Sequence, residues 1–116
     1  MFWGRYKSRV DSNRRIVIPK PFRDICGDSV MVSMAGDRLM CYRLKEWENL
    51  EKEHASQEAW WRFIAAASIY GIDGKGRIML ARGHIDRSLM RRDAVCVGFV
   101  DHFEICSASS LMDKLR

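Results

Sequence analysis

The sequence predicts a mainly β fold with short helices (α+β), built from two tandem repeats. Residues 72–81 repeat the pattern of residues 10–19, with Asp73 following Asp11 by 62 residues. A repeat of this kind indicates a duplicated structural unit. Each copy has a basic turn followed by a short apolar run of strand character. With 116 residues in all, neither half is large enough to bury a sufficient core alone, so we expect the halves to fold together.

The first repeat reads as four short strands, joined by a basic turn at 11–14 and a short helix. The strands are expected at residues 5–10, 15–18, 30–32 and 39–42. Pro19 and Pro21 end the second strand and favour the start of a helix over 21–26. We expect that helix to end at Gly27 in the left-handed αL conformation.

The second repeat is predicted to follow the same order. Its turn is expected at 73–76, its helix at 85–90 and its strands at 66–72, 77–80, 94–99 and 103–106. The late strands of the two repeats also match. We align Val30 with Val95 and Leu39 with Phe103, at offsets slightly longer than 62, which indicates that a few residues were gained or lost in the loops between.

Three helices are predicted outside the strand sets, at residues 44–54, 56–65 and 107–115. The first carries an apolar stripe opposite several glutamates. Ser56 opens the second, and Ser107 is the expected N-cap of the third, which has Leu115 on its apolar stripe. The chain then divides into 1–54, the first repeat with its helix, and 55–116, a helix with the second repeat.

Positive charge concentrates around the repeated turns. The net charge is +5 and the pI is about 9.3. Residues 2–23 carry seven basic side chains against one acidic side chain, whereas residues 45–58 carry five glutamates against two lysines. Such a basic cluster is the electrostatic footprint of a phosphate-bearing partner. The charge alone is equally compatible with a solvated basic surface.

The four cysteines indicate free thiols in a reducing compartment. Cys26, Cys41, Cys96 and Cys106 have neither the spacing of a metal knuckle nor that of a CxxC pair. Charges follow directly after residue 3, so no signal peptide is expected. No apolar run approaches the roughly 20 residues of a membrane span. We therefore expect a cytoplasmic protein with no membrane partner.

The repeated turn is suited to presenting polar side chains. Asp11 and Asp73 are expected to accept backbone hydrogen bonds from residues further along the turn, and Gly74 and Gly76 permit a positive φ. Arginine reads guanine, asparagine pairs with adenine and lysine binds phosphate. The candidate DNA-binding residues are Asn13, Arg14 and Arg15, Lys75 and Arg77, and Arg5, Lys7 and Arg9 of the preceding strand. The alternative is a hairpin whose charges serve solubility alone.

In these turns and their surroundings the chain resembles the MraZ family, bacterial transcriptional regulators built from two SpoVT-AbrB repeats. Both turns are similar to the family's Asp-x-Lys-Gly-Arg signature, and residues 1–6 to its Met-Phe-x-Gly-x-Tyr opening. Residues 44–48 resemble the Leu-x-Glu-Trp-Glu that begins its first linker helix. Residues 97–98 and 104–105 resemble its last two strands. These features occur in order and span both repeats.

The resemblance implies a swapped-hairpin or double-ψ-like β-barrel made from both halves, and a ring-shaped homo-oligomer. It implies sequence-specific binding to double-stranded DNA, at closely spaced repeats in the promoter of the division and cell-wall gene cluster. The protein is then expected at the nucleoid. We expect no enzyme activity, no cofactor, no metal and no small-molecule substrate. The operator, the sign of regulation and the ring size stay open.

The first turn departs from the family's pattern. Lys75 and Arg77 match both basic positions of the signature, whereas Asn13 stands in place of lysine and Arg14 in place of glycine. Arg14 is therefore expected to need an unfavourable φ, and the first turn is expected to have an altered specificity. Ala81 stands in place of a proline, so the second repeat's helix is expected to start less sharply.

Other functions have weaker support. An AbrB-like antitoxin or protein-assembly module would use the same fold with a protein partner, but such antitoxins usually carry one repeat and a disordered tail. A metal site or Cys–His catalytic pair would need His54, His84 or His102 beside a cysteine, and the spacing offers no support. Surface histidines and core cysteines are the favoured interpretation.

An aromatic segment remains open to two interpretations. Trp60, Trp61 and Phe63 form an apolar patch that packs in the core or serves as a subunit interface, where aromatic residues are enriched. Phe2 and Trp3 are candidates for the same contact.

Overall fold

Each repeat forms four strands, with helices after the second and the fourth. The computed structural model describes residues 1–114. In chain order the elements are β1 (Arg5–Arg9), β2 (Arg15–Val17), α1 (Lys20–Cys26), β3 (Ser29–Ala35), β4 (Arg38–Tyr42), α2 (Leu44–His54), α3 (Glu58–Ala65), β5 (Ser68–Gly71), β6 (Arg77–Met79), α4 (Arg82–Ser88), β7 (Asp93–Gly98), β8 (Phe103–Ser107) and α5 (Ala108–Lys114). The predicted fold class, mainly β with short helices, is confirmed.

The strands of the two repeats interleave. One sheet has the order β1-β7-β8-β4-β3-β5, and β2 and β6 form a separate two-stranded ribbon; all the pairs are antiparallel. The first strand of each repeat pairs with the third strand of the other, β1 with β7 and β5 with β3. The second strands pair with each other, as do the fourth. The halves are thus exchanged about a pseudo-twofold axis, and neither could form its sheet alone.

The register fixes which residues of the two repeats correspond. β1 pairs Ser8 with Ala94, and the equivalent pair in the other half is Tyr70 with Val30. Val30 therefore corresponds to Ala94, and its alignment with Val95 was wrong by one residue. Tyr70 follows Ser8 by 62 residues and Ala94 follows Val30 by 64, so the second repeat gains two residues between β6 and β7.

The main core lies between the six-stranded sheet and the ribbon. Three rings pack at its centre, those of Phe2, Phe22 and Phe103, with centroids 4.8 to 5.5 Å apart. The edge-on and tilted arrangement of these rings is the one that aromatic quadrupoles favour. Phe2 is only 2% exposed, so its proposed role in a subunit contact was wrong. Trp3 is 61% exposed.

A second apolar cluster lies on the outer face of β3 and β4. Tyr42, Trp47 and Trp60 are buried there, and Phe63 is packed against them. The cluster holds α2 and α3 on the sheet. Trp60 and Phe63 thus occupy the core position that was one of their two interpretations, whereas Trp61 is 71% exposed.

The first helix of each repeat begins at the same position. α1 starts at Lys20 and α4 at Arg82, although Ala81 replaces the proline that precedes α1. The expectation of a less sharp start was wrong, because the N–H of Ala81 donates to the Tyr70 hydroxyl at 2.8 Å and fixes the chain there. Gly27 has φ 82° and ψ −126°, a positive φ outside the αL region that was expected.

The other helices follow the predictions closely. α2 has the predicted bounds, while α3 begins after Gln57 rather than Ser56. Ser107 Oγ accepts a hydrogen bond from the N–H of Ser110 at 3.1 Å, as an N-cap does. Leu115 lies outside the described residues. No helix within residues 1–114 is long and apolar enough to span a membrane.

Candidate nucleic-acid interface

The first turn is organised by one carboxylate. Asp11 Oδ1 accepts hydrogen bonds from the backbone N–H of Asn13 at 2.8 Å and of Arg15 at 2.9 Å. Asp11 Oδ2 accepts a third from Arg15 Nε at 3.0 Å. This is the predicted Asx-type turn. In addition, it fixes the guanidinium of Arg15 by its ε nitrogen.

The second turn repeats this geometry. Asp73 Oδ1 accepts from the N–H of Lys75 and of Arg77, each at 2.9 Å. Asp73 Oδ2 accepts from Arg77 Nε at 2.9 Å. The two turns therefore have the same hydrogen bonds at equivalent positions, although three of their five residues differ.

These hydrogen bonds change the acidity of both carboxyl groups. The backbone N–H of Arg15 is the largest influence on Asp11 and lowers its pKa; the N–H of Asn13 and the guanidinium of Arg15 add to it. The N–H of Arg77 lowers the pKa of Asp73 in the same way. Both turns therefore keep an ionised carboxylate at neutral pH, and each carboxylate orients one arginine.

The fourth residue of each turn has a left-handed backbone. Gly76 has φ 77° and Arg14 has φ 61°, so the unfavourable φ predicted for Arg14 is confirmed. Gly74 does not use the positive φ that it permits. A side chain other than glycine in this region costs roughly 1–2 kcal/mol.

Contacts with the other repeat hold Arg14 in this conformation. Its Nε donates to the carbonyl of Leu80 at 3.1 Å, and its own carbonyl accepts from the N–H of Leu80 at 2.8 Å. In the equivalent place, the carbonyl of Gly76 accepts from the N–H of Ile18 at 2.9 Å. The first turn is thus bonded to the residue that follows β6, and the second turn to the residue that follows β2.

Arg23 is a basic residue of the site that the sequence did not single out. It lies on α1 in the first repeat, yet its Nη1 donates to the carbonyl of Lys75 in the second turn at 3.4 Å. Its guanidinium covers Gly76. Both turns therefore have a guanidinium beside the left-handed residue, from Arg14 itself in the first and from Arg23 in the second. No local pattern marks Arg23, because the contact depends on the exchange of strands.

The ribbon between the turns has one buried face and one exposed face. Ile16 and Ile78 pair at its centre and point into the core. The outer face carries Arg15 opposite Met79 and Val17 opposite Arg77. Val17 and Met79 are 45% and 53% exposed. The exposed ribbon face is thus two arginines alternating with two apolar side chains, related by the pseudo-twofold axis.

The tips of the two turns lie at opposite ends of this ribbon. Asn13 and Lys75 are both exposed. The backbone of Arg14 is bonded to that of Leu80 at one end of the ribbon, and the backbone of Gly76 to that of Ile18 at the other end. These two ends are four residues apart along each strand, or roughly 14 Å at the rise of a strand. A two-stranded ribbon of this kind fits the major groove of B-DNA, about 12 Å wide.

The basic residues of β1 do not share this face. Ser8 Oγ donates to the carbonyl of Val17 at 3.0 Å, so Ser8 points towards the ribbon. Because side chains alternate along a strand, Lys7 and Arg9 point to the opposite side. Arg9 also faces Asp93 at 3.5 Å, an exposed pair of little energetic weight. The structure therefore places the two turns at the two ends of one ribbon, and Arg5, Lys7 and Arg9 on the side of β1 that faces away from it.

His84 and the four cysteines are buried or partly buried. His84 is buried, with its ring nitrogens 2.7 Å from the Tyr70 hydroxyl and from the Ala66 carbonyl oxygen, so the expectation of a surface histidine was wrong for this residue. The four cysteines are free thiols, and burial raises the pKa of Cys26 to about 11. Among the described residues, no three His, Cys, Asp or Glu side chains cluster as metal ligands would.

Comparison with known proteins gives one family. The family model "MraZ protein, putative antitoxin-like" matches residues 1–59. The chain is 31% identical to the transcriptional regulator MraZ of Limosilactobacillus fermentum, over 93% of this chain and 82% of the relative. It is 31% identical to that of Mycobacterium avium, over 97% and 85%, and 29% identical to that of Nitratidesulfovibrio vulgaris, over 90% and 79%.

Proposed function

The chain belongs to the MraZ family, and from this premise we propose that it is a transcriptional regulator that binds double-stranded DNA sequence-specifically through the ribbon and its two turns. One observation carries the proposal: two identically hydrogen-bonded Asp–Arg turns flank an exposed antiparallel ribbon. A two-stranded ribbon can enter the major groove, and this one presents two arginines on its outer face. The relatives are named transcriptional regulators, which agrees with this chemistry.

We assign different roles to the basic residues of the ribbon. Arg15 and Arg77 are held by their ε nitrogens, which leaves the η nitrogens to approach a guanine edge. Lys75 and Arg14 contact phosphates, and Asn13 reads an adenine or a phosphate in place of the lysine of the other turn. Val17 and Met79 provide apolar contact with thymine methyl groups. The DNA bound by the first turn should then differ in sequence from the DNA bound by the second, because the two turns carry different side chains.

Self-assembly completes the proposed function. A ring of copies would place the ribbons at regular intervals. Tandem promoter repeats would then bind several ribbons of one ring, and the first contact would raise the effective concentration of the other ribbons at the remaining repeats. We propose the promoter of the division and cell-wall gene cluster as the target, with the protein in the cytoplasm and at the nucleoid. These proposals rest on the family resemblance.

The direct test is recovery of bound DNA across the genome, followed by titration of the recovered site. Lys75→Ala should weaken binding by about tenfold, and the slope of log K against log salt should fall by about 0.9, because one phosphate contact is lost. Lys52→Ala, on the exposed side of α2, is the matched control and should change neither. Equal behaviour of the two variants would remove Lys75 from the site.

Arg77 tests sequence reading separately from charge. Arg77→Lys keeps the charge and loses the planar fork. Discrimination against one wrong base pair should fall by about 1–3 kcal/mol while non-specific binding persists. Discrimination unchanged at every position of the site would show that Arg77 contacts only the backbone.

A second candidate is an antitoxin-like role with a protein partner, which the family's description favours. Co-purification of a small toxin at fixed stoichiometry, together with failure to recover any specific DNA, would put this candidate first.

A further inference from the structure

The exchange of strands places a segment of the second repeat beside the first turn. The N–H of Val10, just before that turn, donates to the carbonyl of Arg92 at 2.8 Å. Beyond the other end of the turn, Arg82 begins α4, two residues after Leu80, whose N–H donates to the turn's fourth residue. Residues 82–92 therefore begin and end beside the first turn, and we call them the first-turn flank.

The equivalent segment of the first repeat lies beside the second turn. The N–H of Ile72 donates to the carbonyl of Asp28 at 2.8 Å, and Lys20 begins α1 at the position equivalent to Arg82. We call residues 20–28 the second-turn flank. Members of this flank and of the turn line one groove: Lys20, Arg23 and Asp28 with Asp73 and Gly76. Each turn and its flank thus form one continuous surface at one end of the ribbon.

The two flanks differ in charge although the two turns do not. Each turn carries two basic side chains and one aspartate. The first-turn flank carries four arginines and one aspartate, whereas the second-turn flank carries two basic and two acidic side chains. Arg92 stands where the second-turn flank has Asp28. The positive charge of the ribbon and its surroundings is therefore concentrated at the first turn.

Two arginines of the first-turn flank are exposed and unpaired. Arg82 and Arg92 are both exposed, and neither forms a salt bridge within the described part of the chain. The acid next to Arg92, Asp93, faces β1 instead. In the second-turn flank, by contrast, the ammonium of Lys20 lies 3.0 Å from Asp24. A guanidinium without a carboxylate partner can bind a phosphate without giving up another contact.

We infer that Arg82 and Arg92 contact DNA phosphates beside the first turn, so that the DNA-binding surface extends past the ribbon at that end only. The first turn has Asn13 where the second has Lys75, and the second repeat supplies the missing phosphate contact across the exchanged strands. This inference rests on the proposed function and deepens it. The ribbon reads the sequence, and its two ends bind the backbone unequally.

Salt titrations on a random-sequence duplex test the phosphate contacts apart from sequence reading. The flank variant, Arg82→Ala with Arg92→Ala, should bind about a hundredfold more weakly at about 0.1 M salt, and the slope of log K against log salt should fall by about 1.8, because two phosphate contacts are lost. Arg82→Lys with Arg92→Lys keeps both charges and should retain most of the slope. The net-charge control, Lys45→Ala with Lys52→Ala at exposed positions of α2, should leave the slope unchanged.

The difference between the two ends has a control of its own. The second-flank control, Lys20→Ala with Asp24→Ala, removes the equivalent ion pair without changing the net charge, and it should leave the slope unchanged. On the DNA site recovered from the genome, ethylation of phosphates should interfere with wild-type binding further out on one side than on the other. The flank variant should lose that additional interference.

The contrary outcomes separate this inference from the proposed function. An undiminished slope in the flank variant, while Lys75→Ala still lowers it, would overturn the inference and leave the DNA-binding proposal standing. An equal loss in the net-charge control or in the second-flank control would also overturn it. Circular dichroism and native mass spectrometry should show wild-type folding and mass for the flank variant, and an altered mass would assign the two arginines to a subunit contact instead. Absence of DNA binding by the wild type would remove the proposed function itself.

Discussion

Arg23 and Gly76 come from opposite repeats and share one site: a Cβ placed on Gly76 would lie 1.4 Å from Arg23 Nη1 and 2.5 Å from Arg23 Cζ. The second turn therefore excludes any side chain at its fourth position while Arg23 is in place. In the first turn no second residue is needed, because Arg14 is itself the left-handed residue and also supplies the guanidinium.

Replacement of Gly76 should be costly where replacement of Gly74 is not. Gly76→Ala combines the left-handed φ with displacement of Arg23, and we expect a loss of about 1–2 kcal/mol of unfolding free energy. Gly74→Ala meets no atom within 4 Å and should stay within about 0.5 kcal/mol. Urea unfolding of both variants measures the difference; equal costs would contradict the role given to Arg23.

At Arg14 the cost of the backbone can be separated from the role of the side chain. Arg14→Ala and Arg14→Gly both remove the guanidinium and its bond to Leu80, but only glycine is relaxed at φ 61°. The glycine variant should therefore be more stable by about 1 kcal/mol. Both should lose DNA affinity by the same factor. Affinity that follows stability instead would show that Arg14 acts through the turn alone.

Local chemistry made the repeat predictable, and the exchange of strands did not follow from it. The hydrogen bonds of Asp11 and Asp73 depend on residues within four positions, so the motif predicted them. The contact of Arg23 with Lys75 joins residues 52 apart. Pairing at that distance depends on which repeat's strands lie side by side, and no local periodicity encodes it.

The role of the aromatic residues was only partly predictable for a related reason. Apolar side chains in a short helix indicate burial but not the surface that buries them. Trp60 and Trp61 are adjacent and chemically identical, yet one is 8% and the other 71% exposed. The direction in which α3 meets the sheet decides between them, and that direction depends on β3 and β4.

The two aromatic residues at the start of the chain should differ sharply in their contribution to stability. Phe2 packs against Phe22 and Phe103, so Phe2→Ala should cost about 3–5 kcal/mol through lost burial and the remaining cavity. Trp3→Ala, at an exposed neighbour, is the matched control and should cost less than about 1 kcal/mol. Thermal unfolding followed by circular dichroism measures both, and a small effect of Phe2→Ala would contradict its central place in the core.

A histidine in the β7–β8 hairpin should make stability depend on pH. Burial opposes the charged form of His102, but hydrogen bonds to Glu104 at 3.1 Å and Asp101 at 2.7 Å outweigh it and raise its pKa above the usual 6.5. A group whose pKa is raised on folding stabilises the protein fully below 6.5, and this contribution disappears as the pH rises through the raised value. The unfolding free energy should therefore fall with pH above about 6.5.

The partner of His102 sets the lower limit of this pH window. Burial raises the pKa of Glu104, but the hydrogen bond from His102 and the charge of Arg38, 2.8 Å away, lower it below its usual 4.5. That contribution is complete above 4.5 and disappears as the pH falls through the lowered value. His102→Gln should flatten the dependence above pH 6.5 in urea titrations at several pH values. A slope that persists in His102→Gln would place the responsible group elsewhere.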